Sequence, residues 1–331
     1  MNTILLTATD DDISYAAELL KSGKLVAFPT ETVYGLGANA MDKKAVEKIF
    51  TAKGRPIDNP FIVHIASLDI LPNLVQTVPE TARRLIDLFW PGPLTIVLKK
   101  NPQIPDAATA GLDSVGIRMP KNDVALRLLK GCGIPIAAPS ANASGRPSPT
   151  LASHVMDDLS GKIDAVLDGG ACDVGLESTV IDLTGDVPVL LRPGGITAEQ
   201  LCEAIGDVRH RFEFIPGTVP RSPGVKYKHY APNSPVIIVK GQFQRYVEQH
   251  AERYKKPGVI TYETVQFPKN CIVKNLGQSP SEHAANLFSH IRYLDNEKVD
   301  IIFAQDIEGE GLGVALRNRL YKAADNHIVQ G

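Results

Sequence analysis

Cationic and hydroxyl side chains recur where predicted strands of this sequence begin or end. The loop KGRPIDNP places Lys53 and Arg55 on either side of a glycine, and its two prolines restrict the backbone. Such cations are suited to bind phosphate or carboxylate oxygens, and Arg55 can do so with two parallel hydrogen bonds. The alternative is a solvated helix end in which Lys53 interacts with the last carbonyl groups of the preceding helix. This alternative is weaker for Arg55.

Two ionisable side chains lie inside predicted strands that are otherwise apolar. Arg118 is part of SVGIRMP, and His64 is part of FIVHI. Because burying an unpaired guanidinium is unfavourable, Arg118 must meet an anion, either a carboxylate of the protein or one of a substrate. A lone histidine in a buried strand is more often a hydrogen-bonded core residue than a ligand-binding group.

Three further segments place small polar groups next to predicted strands, and a fourth leads a strand into an arginine. They are PTETVYGLGANA (29–40), AAPSANASGRPSPT (137–150), ESTV (177–180) and LLRPGG (190–195), which contains Arg192. Hydroxyls and backbone N–H groups in such loops can bind a polar ligand, although each segment alone could be an ordinary turn or polar loop. Ligands of open α/β sheets bind at strand ends, so the set predicts a cleft for a polyphosphate beside a small carboxylate.

Several common catalytic and metal-binding motifs are missing from the sequence. It has no GxxxxGK[ST] phosphate loop, no GxGxxG after a strand and no GxSxG nucleophile motif. No histidine or carboxylate pair has metal-ligand spacing, so no metal-binding residue is predicted. The four cysteines form no CxxC pair, which favours reduced thiols in a reducing compartment over a zinc site.

The elements that would position these residues alternate along the chain. Predicted strands cover 24–28, 61–65, 94–98, 115–119, 134–138, 164–168, 179–183 and 188–192, and helices lie near 10–22, 42–52, 79–89, 122–131, 150–159 and 197–205. Asp10, Asp42 and Thr150 are the predicted N-caps. Several strands are apolar on both faces, as in a sheet that is covered on both sides. The pattern predicts an α/β fold but not its strand order.

A proline-rich stretch at 216–235 interrupts this alternation. After it, predicted strands at 235–240, 258–262, 271–277 and 299–305 alternate with helices near 242–255, 280–295 and 312–324. We therefore expect a catalytic domain at 1–213, a linker or lid at 214–234 and a small α/β domain at 235–331.

The composition is that of an ordinary soluble protein. The chain has 331 residues, of which 44% are hydrophobic and 22% charged, with a net charge of -2. The length suggests about two domains, and the charge is too small to indicate nucleic-acid binding by itself. The start MNTILLTATDDD lacks the basic and apolar parts of a signal peptide, and no apolar run approaches the roughly 18 residues of a membrane helix. We therefore expect a cytoplasmic location.

In this order along the chain, PTETVYGLG, KGRPIDNP, SVGIRMP, PSANASG, ESTV and LLRPG resemble the YrdC-like threonylcarbamoyl-AMP synthases. The linker SPGVKYKHYAP and the ending GLGVALRNRLYKAA resemble the long form of that family, which has an additional C-terminal domain. The resemblance implies a catalytic domain with a twisted open mixed sheet and a basic concave face, followed by a smaller Rossmann-like α/β domain. It also implies that L-threonine, bicarbonate and ATP form threonylcarbamoyl-adenylate and pyrophosphate. The adenylate would then serve separate proteins that make N6-threonylcarbamoyladenosine in tRNA.

The resemblance also assigns the individual residues. Lys53 and Arg55 would be catalytic and meet the ATP phosphates, with Mg²⁺ bound through those phosphates. The residues implied to bind ATP are Arg55, Asn59, Ser114, Ser140, Ser148, Arg192 and Tyr230. The residues implied to bind threonine are Thr32, His64, Arg118, Ala138 through its backbone, and Ser178. The linker departs from the family pattern, because Val225 and Lys228 stand where Met and Arg are commoner. If position 228 contacts phosphate, lid closure would be weaker, since lysine cannot make a bidentate contact.

Two other functions remain open on the residues alone. A double-stranded RNA or tRNA binder without nucleotide chemistry would bind phosphates along a basic cleft, with a steep dependence on salt. A carbamoyl-transfer module like those of hydrogenase maturation would carry additional zinc-finger-like parts, for which this chain lacks the cysteines. The deeply placed Arg118 favours a small-molecule pocket over the RNA binder, although weak contact with RNA is compatible with either function.

Overall fold

The computed structural model describes residues 2–212, 220–223 and 229–331. The chain forms two units that are not continuous in sequence. The first contains the described residues up to Ser144, residues 149–173 and the described residues from 177 to 223. The second contains Gly145–Ser148, Val174–Leu176 and the described residues from 229 onward. Two short segments of the N-terminal sequence therefore belong to the second unit.

The first unit contains a mixed sheet of eleven strands among the described residues. The strands are β1 (Ile4–Leu6), β2 (Val26–Phe28), β3 (Gly35–Asn39), β4 (Ile62–His64), β5 (Leu94–Lys99), β6 (Ser114–Arg118), β7 (Ile136–Ala137), β8 (Ala165–Leu167), β9 (Thr179–Asp182), β10 (Val189–Arg192) and β11 (Arg209–His210). Their order is β1-β8-β2-β3-β7-β4-β6-β5-β9-β10-β11. The central pair β4 and β6 is parallel, with His64 opposite Arg118, while β5 runs antiparallel to β6.

Helices and apolar side chains cover one face of this sheet along most of its width. The helices of the first unit are α1 (Asp10–Lys21), α2 (Lys43–Lys53), α3 (Leu71–Leu74), α4 (Glu80–Phe89), α5 (Asp106–Thr109), α6 (Asp123–Cys132), α7 (Ala152–Leu159) and α8 (Ala198–Ile205). Ile49 of α2 and Leu85 of α4 belong to the same apolar core as Val63, Ile96 and Ile117 of the central strands. A second core, formed by α1 and α6 with Phe28 and Ile136, covers the opposite face near β2 and β7.

The central strands also carry a row of small and polar residues. Because Val115 and Ile117 point into the main core, their neighbours Ser114 and Arg118 point to the opposite face of β6. The same alternation places Thr95 of β5 on that face. We call the surface formed by Thr95, Ser114, Arg118 and the neighbouring Ser178 the polar face.

The second unit is a smaller parallel α/β sheet. Its elements are β12 (Val236–Lys240), α9 (Phe243–His250), β13 (Pro257–Thr261), β14 (Ile272–Asn275), α10 (Pro280–Asn296), β15 (Ile301–Gln305), α11 (Leu312–Ala323) and β16 (Ile328–Gln330). The strand order is β14-β13-β15-β12-β16, and all neighbouring pairs are parallel. The predicted fold class, a large mixed sheet with a second small α/β domain, is confirmed. Among the described helices, none combines the length and apolar character needed to cross a membrane.

Some local predictions were wrong. The first helix is capped by Thr9, whose side chain accepts the Asp12 N–H, so Asp10 lies in the first turn instead. Leu151, not Thr150, occupies the N-cap position of α7, while the Thr150 N–H donates to the His154 ring. The predicted cap at Asp42 is confirmed, because its carboxylate accepts the Lys44 and Ala45 N–H groups. Strands β1, β3, β11 and β16 were not predicted.

Candidate active site

Arg118 is the centre of a buried polar cluster in the first unit. Its Nη1 donates to the Thr32 hydroxyl at 2.9 Å, and its Nε donates to the Gly92 carbonyl at 3.2 Å. Its Nη2 lies 2.6 Å from a carboxylate oxygen of Glu31, and the two side chains are only 4% and 5% exposed. The expected anion is therefore present as a carboxylate of the protein. Thr32, predicted to bind threonine, lies directly beside Arg118.

The loop that follows β2 holds Thr32 and Glu31 in place. The Thr30 hydroxyl accepts the backbone N–H groups of Thr32 and Val33, each at 3.2 Å, and donates to the Val33 carbonyl. Such a side-chain turn fixes the backbone without help from a neighbouring strand. The loop is therefore rigid where it meets Arg118.

His64 lies next to Arg118 and is buried in the sheet. Burial and the neighbouring guanidinium lower the pKa of His64 to about 3. Its Nδ1 lies 3.2 Å from the Ile62 carbonyl, and its ring packs edge-on against Phe28. At neutral pH the imidazole is therefore uncharged, and it can take part in binding only as a hydrogen-bonding group.

Ser178 and Arg192 form a second polar cluster on the polar face. Arg192 donates from Nη2 to the Ser178 hydroxyl at 3.1 Å and from Nε to the Ser178 carbonyl at 3.0 Å. The same hydroxyl lies 2.8 Å from that of Thr95. Gly194 passes so close behind that a Cβ there would lie 2.4 Å from the Thr179 nitrogen, so a side chain does not fit. The segment LLRPGG thus positions Ser178 as well as supplying Arg192.

The basic loop after α2 is fixed by hydrogen bonds to neighbouring backbone. The Lys53 ammonium is buried and donates to the carbonyls of Ser140 and Asn142. Gly54 ends the helix in the left-handed region, with φ 61°. Arg55 donates from Nη2 to the Asn59 and Pro60 carbonyls, at 3.2 and 3.3 Å. Lys53 thus connects this loop to the loop that carries Ser140.

A pocket on the polar face joins these elements within the first unit. Its lining includes Ser114 and Gly116 of β6, Thr95 of β5 and Pro60, together with Arg221 and Pro223. Arg221 is held there by hydrogen bonds from Nη1 to the Asp182 carboxylate and the Thr184 hydroxyl. Arg192 also reaches this segment, donating from Nη1 to the Pro223 carbonyl at 3.3 Å. The pocket therefore connects the basic loop with the Ser114 strand and with Arg221 and Pro223 of the predicted linker.

Of the other predicted residues, Ala138 lies beside β4, the strand that carries His64. The Ala138 N–H already donates to the Ile62 carbonyl at 2.9 Å. Ser148 and Tyr230 belong to the second unit. Tyr230 is buried there, with its ring centroid 5.2 Å from that of Phe288 and a backbone φ of 66°. Val225 and Lys228 lie outside the described residues. Among the described residues, no group of three or more His, Cys, Asp or Glu side chains could hold a metal ion.

Two residues of this site were not predicted from sequence. Thr95 interrupts the apolar part of the strand LTIVLK, and this polar residue between buried apolar neighbours was the available signal. Glu31 was noted only as part of a polar strand end. The buried arginine opposite it was the available signal, because that arginine required an anion.

Comparisons with known family models, protein sequences and solved structures give consistent matches over nearly the whole chain. Residues 18–194 match the family model described as "Telomere recombination", and residues 196–325 match "Threonylcarbamoyl-AMP synthase, C-terminal domain". The chain is 48% identical to the threonylcarbamoyl-AMP synthase of Pyrococcus abyssi, over 96% of this chain and 95% of that protein. It is 45% identical to that of Bacillus subtilis, over 98% and 96%. A crystal structure of Pyrococcus abyssi Sua5 complexed with L-threonine superposes with a TM-score of 0.93, at 45% identity and full coverage of both chains.

Proposed function

The chain belongs to the threonylcarbamoyl-AMP synthase family, and we propose on that basis that it makes threonylcarbamoyl-AMP and pyrophosphate from L-threonine, bicarbonate and ATP. The product would serve separate proteins that form N6-threonylcarbamoyladenosine in tRNA, in the cytoplasm. The observation that supports this function best is the pair of buried arginine clusters on the first unit's sheet. Arg118 donates to Thr32 in one cluster, and Arg192 donates to Ser178 in the other, where the Ser178 hydroxyl also lies 2.8 Å from that of Thr95.

The Arg118 cluster is the proposed threonine subsite. A guanidinium suits the substrate carboxylate because it can donate two parallel hydrogen bonds. Thr32, Ser178 and the neutral His64 would bind the remaining polar groups of threonine, with the backbone of Ala138 completing the subsite. Since His64 stays uncharged, it adds no second positive charge that would repel the substrate ammonium group.

The basic loop and the Arg192 cluster are the proposed nucleotide subsite. Arg55 and Arg192 would neutralise phosphate charge, with Mg²⁺ arriving on the triphosphate and bound through its oxygens. Ser114, Ser140, Ser148 and Asn59 would supply further hydrogen bonds to the nucleotide, and Tyr230 would cover it. The buried Lys53 would add positive charge while fixing the Ser140 loop. We also propose that residues 1–213 form the catalytic domain and residues 235–331 the small C-terminal domain, with residues 214–234 as the linker.

The proposed reaction needs alignment more than covalent help from the protein. The amine of threonine and bicarbonate form a carbamate and release water. A carbamate oxygen then attacks the α-phosphorus of ATP, and pyrophosphate leaves. Such transfer depends mainly on in-line positioning and charge neutralisation. Because a carbamate hydrolyses readily, a covering segment over the site would also protect the intermediate.

Release of pyrophosphate from ATP is the direct test. We expect release to require both threonine and bicarbonate, and mass spectrometry to detect threonylcarbamoyl-adenylate. Omitting threonine should abolish both signals. Pyrophosphate release without threonine would contradict the proposal. So would an absence of release combined with strongly salt-dependent RNA binding, which would favour the RNA-binding alternative.

A further inference from the structure

Glu31 is a buried carboxylate whose hydrogen-bonding capacity is unused. Neither of its oxygens has a hydrogen-bond partner among the described residues, although the side chain is almost fully buried. It lies 2.6 Å from Arg118 Nη2, yet that nitrogen also lacks an aligned hydrogen bond. The two groups therefore form a close ion pair whose atoms are not aligned for a hydrogen bond.

This arrangement differs from that of a carboxylate with a purely structural role. Asp295 in the second unit is equally buried, and it accepts hydrogen bonds from Arg146, from the backbone N–H groups of Asn233 and Ser234, and from the Asn233 amide. A buried carboxylate without such donors is costly, because no hydrogen bond replaces those that it loses with water. The state described here is thus incomplete at Glu31, and a donor supplied by a ligand would complete it.

We propose that Glu31 binds the α-ammonium group of the amino-acid substrate and accepts one of its protons. An α-amino acid carries a carboxylate and an ammonium on the same carbon, and an adjacent arginine and glutamate are complementary to that pair. Arg118 would bind the carboxylate, while Glu31 would distinguish an amino acid from a hydroxy acid. The inference rests on the proposed function, since it names the group that recognises the amine.

The proton transfer also has a chemical purpose. One proton moves from the ammonium nitrogen to a Glu31 oxygen, which leaves a neutral amine with a free electron pair. That pair forms the C–N bond to the carbon of bicarbonate. The C–OH bond breaks, and the hydroxide leaves as water with a second amine proton. Glu31 later returns its proton to solvent, so the overall step converts ammonium and bicarbonate into carbamate, water and one proton.

None of the described groups named below competes with Glu31 for the proton of the substrate ammonium group. Burial raises the pKa of the Cys172 thiol to about 12, so this neighbour is neutral. His64, which interacts with Arg118, is neutral as well, with a pKa of about 3. Asp173 is exposed and adjoins Cys172 in sequence. Arg118 is in contact with Glu31. A substrate ammonium group next to Glu31 would add a second positive charge and a hydrogen-bond donor for its carboxylate.

The test compares two ligands that differ only at the α-position. Calorimetry should be performed with L-threonine and with 2,3-dihydroxybutanoate of matching stereochemistry, which has a hydroxyl in place of the amine. In Glu31→Gln we expect threonine affinity to fall about 10- to 100-fold, since a charged hydrogen bond is lost, while hydroxy-acid affinity stays within about 2-fold. Asp164→Asn removes a carboxylate that accepts the Leu25 N–H at the opposite end of β2 from Glu31, and it should change neither affinity.

A second measurement separates proton acceptance from simple positioning. The rate of Glu31→Gln should increase with pH more steeply than that of the parent, because free threonine amine becomes available without the carboxylate. Glu31→Asp keeps the charge but shortens the side chain, and it should give an intermediate loss. If Glu31→Gln does not fold, Glu31→Asp carries the ligand comparison.

Several outcomes would overturn the inference. Equal losses for the two ligands would mean that Glu31 acts only through Arg118. Unchanged threonine affinity would mean that it has no role in binding, and a parallel pH profile would remove the proton transfer. A parent protein without threonine-dependent pyrophosphate release contradicts the proposed function itself. An active parent whose amine preference survives in Glu31→Gln contradicts only this inference.

Discussion

His64 and Arg118 occupy opposite positions on paired strands, and both burial and the Arg118 charge lower the pKa of His64. Burial, together with the positive charge of the neighbouring guanidinium, keeps the imidazole neutral. A neutral histidine in a binding site does not titrate near physiological pH. Substrate binding at this cluster should therefore be insensitive to histidine protonation between pH 6 and 8.

The lowered pKa of His64 predicts a loss of stability in acid. In the unfolded chain a histidine takes up a proton near pH 6.5, whereas folded His64 does so only near pH 3. Between these values the unfolded state binds more protons than the folded state. The free energy of unfolding therefore falls as the pH is lowered, by at most about 1.4 kcal/mol per pH unit. Urea unfolding at pH 7 and pH 5 should show a larger loss for the parent than for His64→Gln. Equal losses of stability in the two proteins would contradict the conclusion that His64 is buried as a neutral imidazole.

Arg118→Lys tests the shape of the guanidinium rather than its charge. Lysine keeps the positive charge but cannot contact Thr32, the Gly92 carbonyl and a substrate carboxylate together. We expect the KM for threonine to rise about 10- to 100-fold, corresponding to a loss of roughly 1.5–3 kcal/mol, with little change in the KM for ATP. Arg127→Lys, on the surface beside Asp123, is the matched control. A rise confined to the KM for ATP would mean that Arg118 belongs to the nucleotide subsite and not to the threonine subsite.

The chemistry of single residues was predictable to different degrees. That Arg118 needed an anion followed from its apolar strand, but the identity of the anion did not. Glu31 lies 87 positions away, and only the pairing of distant strands brings the two together. Thr95 gave a weak signal because a threonine is common in any strand.

At the scale of elements, α10 fixes two short segments within the second unit. Asp295 contacts Arg146 at 3.0 Å, and Arg292 donates from Nε and Nη2 to the Pro147 carbonyl. Gly175 lies so close to α10 that a Cβ would be 2.4 Å from the Ala284 carbonyl oxygen. The segments 145–148 and 174–176 are therefore positioned by this helix.

Asp295→Asn should disturb both stability and nucleotide binding. Asn has one acceptor oxygen in place of two and lacks the charge that Arg146 contacts. We expect a loss of at least about 2 kcal/mol in the free energy of unfolding, and a higher KM for ATP because Ser148 shares the segment with Arg146. Asp300→Asn is the control, since the exposed Asp300 also accepts two backbone N–H groups in the same unit. Similar effects of the two variants would argue against the role of α10.

Most elements could be predicted, and the exceptions have physical reasons. Strand β3 contains Gly35 and Gly37, which in sequence suggest a turn. In the fold Gly37 packs so tightly that a Cβ would lie 3.0 Å from side-chain atoms of Ile136 and Phe28. The glycines are there for close packing between strands, which no local pattern indicates.

At the scale of the whole molecule, the second unit is incomplete without two short segments that lie within the sequence of the first unit. The linear boundaries at 213 and 235 followed from composition, but the membership of 145–148 and 174–176 did not. These segments contact α10 across more than a hundred residues of chain, as the hydrogen bonds of Arg292 show. Sequence patterns report local structure, so such long-range contacts are beyond them.

This dependence can be measured with one substitution in two contexts. In the full chain, Arg292→Leu loses the bonds to Pro147 and should be destabilising by about 2–3 kcal/mol. In a fragment of residues 229–331 the Pro147 acceptor is missing, so the same change should be less destabilising than in the full chain. Arg317 donates to the Ile307 carbonyl within that fragment, and Arg317→Leu should therefore have the same effect in both contexts. Chemical denaturation of the four variants gives the comparison, and equal effects of Arg292→Leu in both contexts would contradict it.

The position of α10 also sets an order of events during synthesis. The ribosome completes residues 145–148 and 174–176 long before it reaches Pro280–Asn296, so these segments lack their contacts with α10 while the first sheet emerges. The proposed nucleotide residue Ser148 would reach its final place only once nearly the whole polypeptide has been translated. A nascent chain paused before α10 should therefore lack the finished enzyme's affinity for ATP.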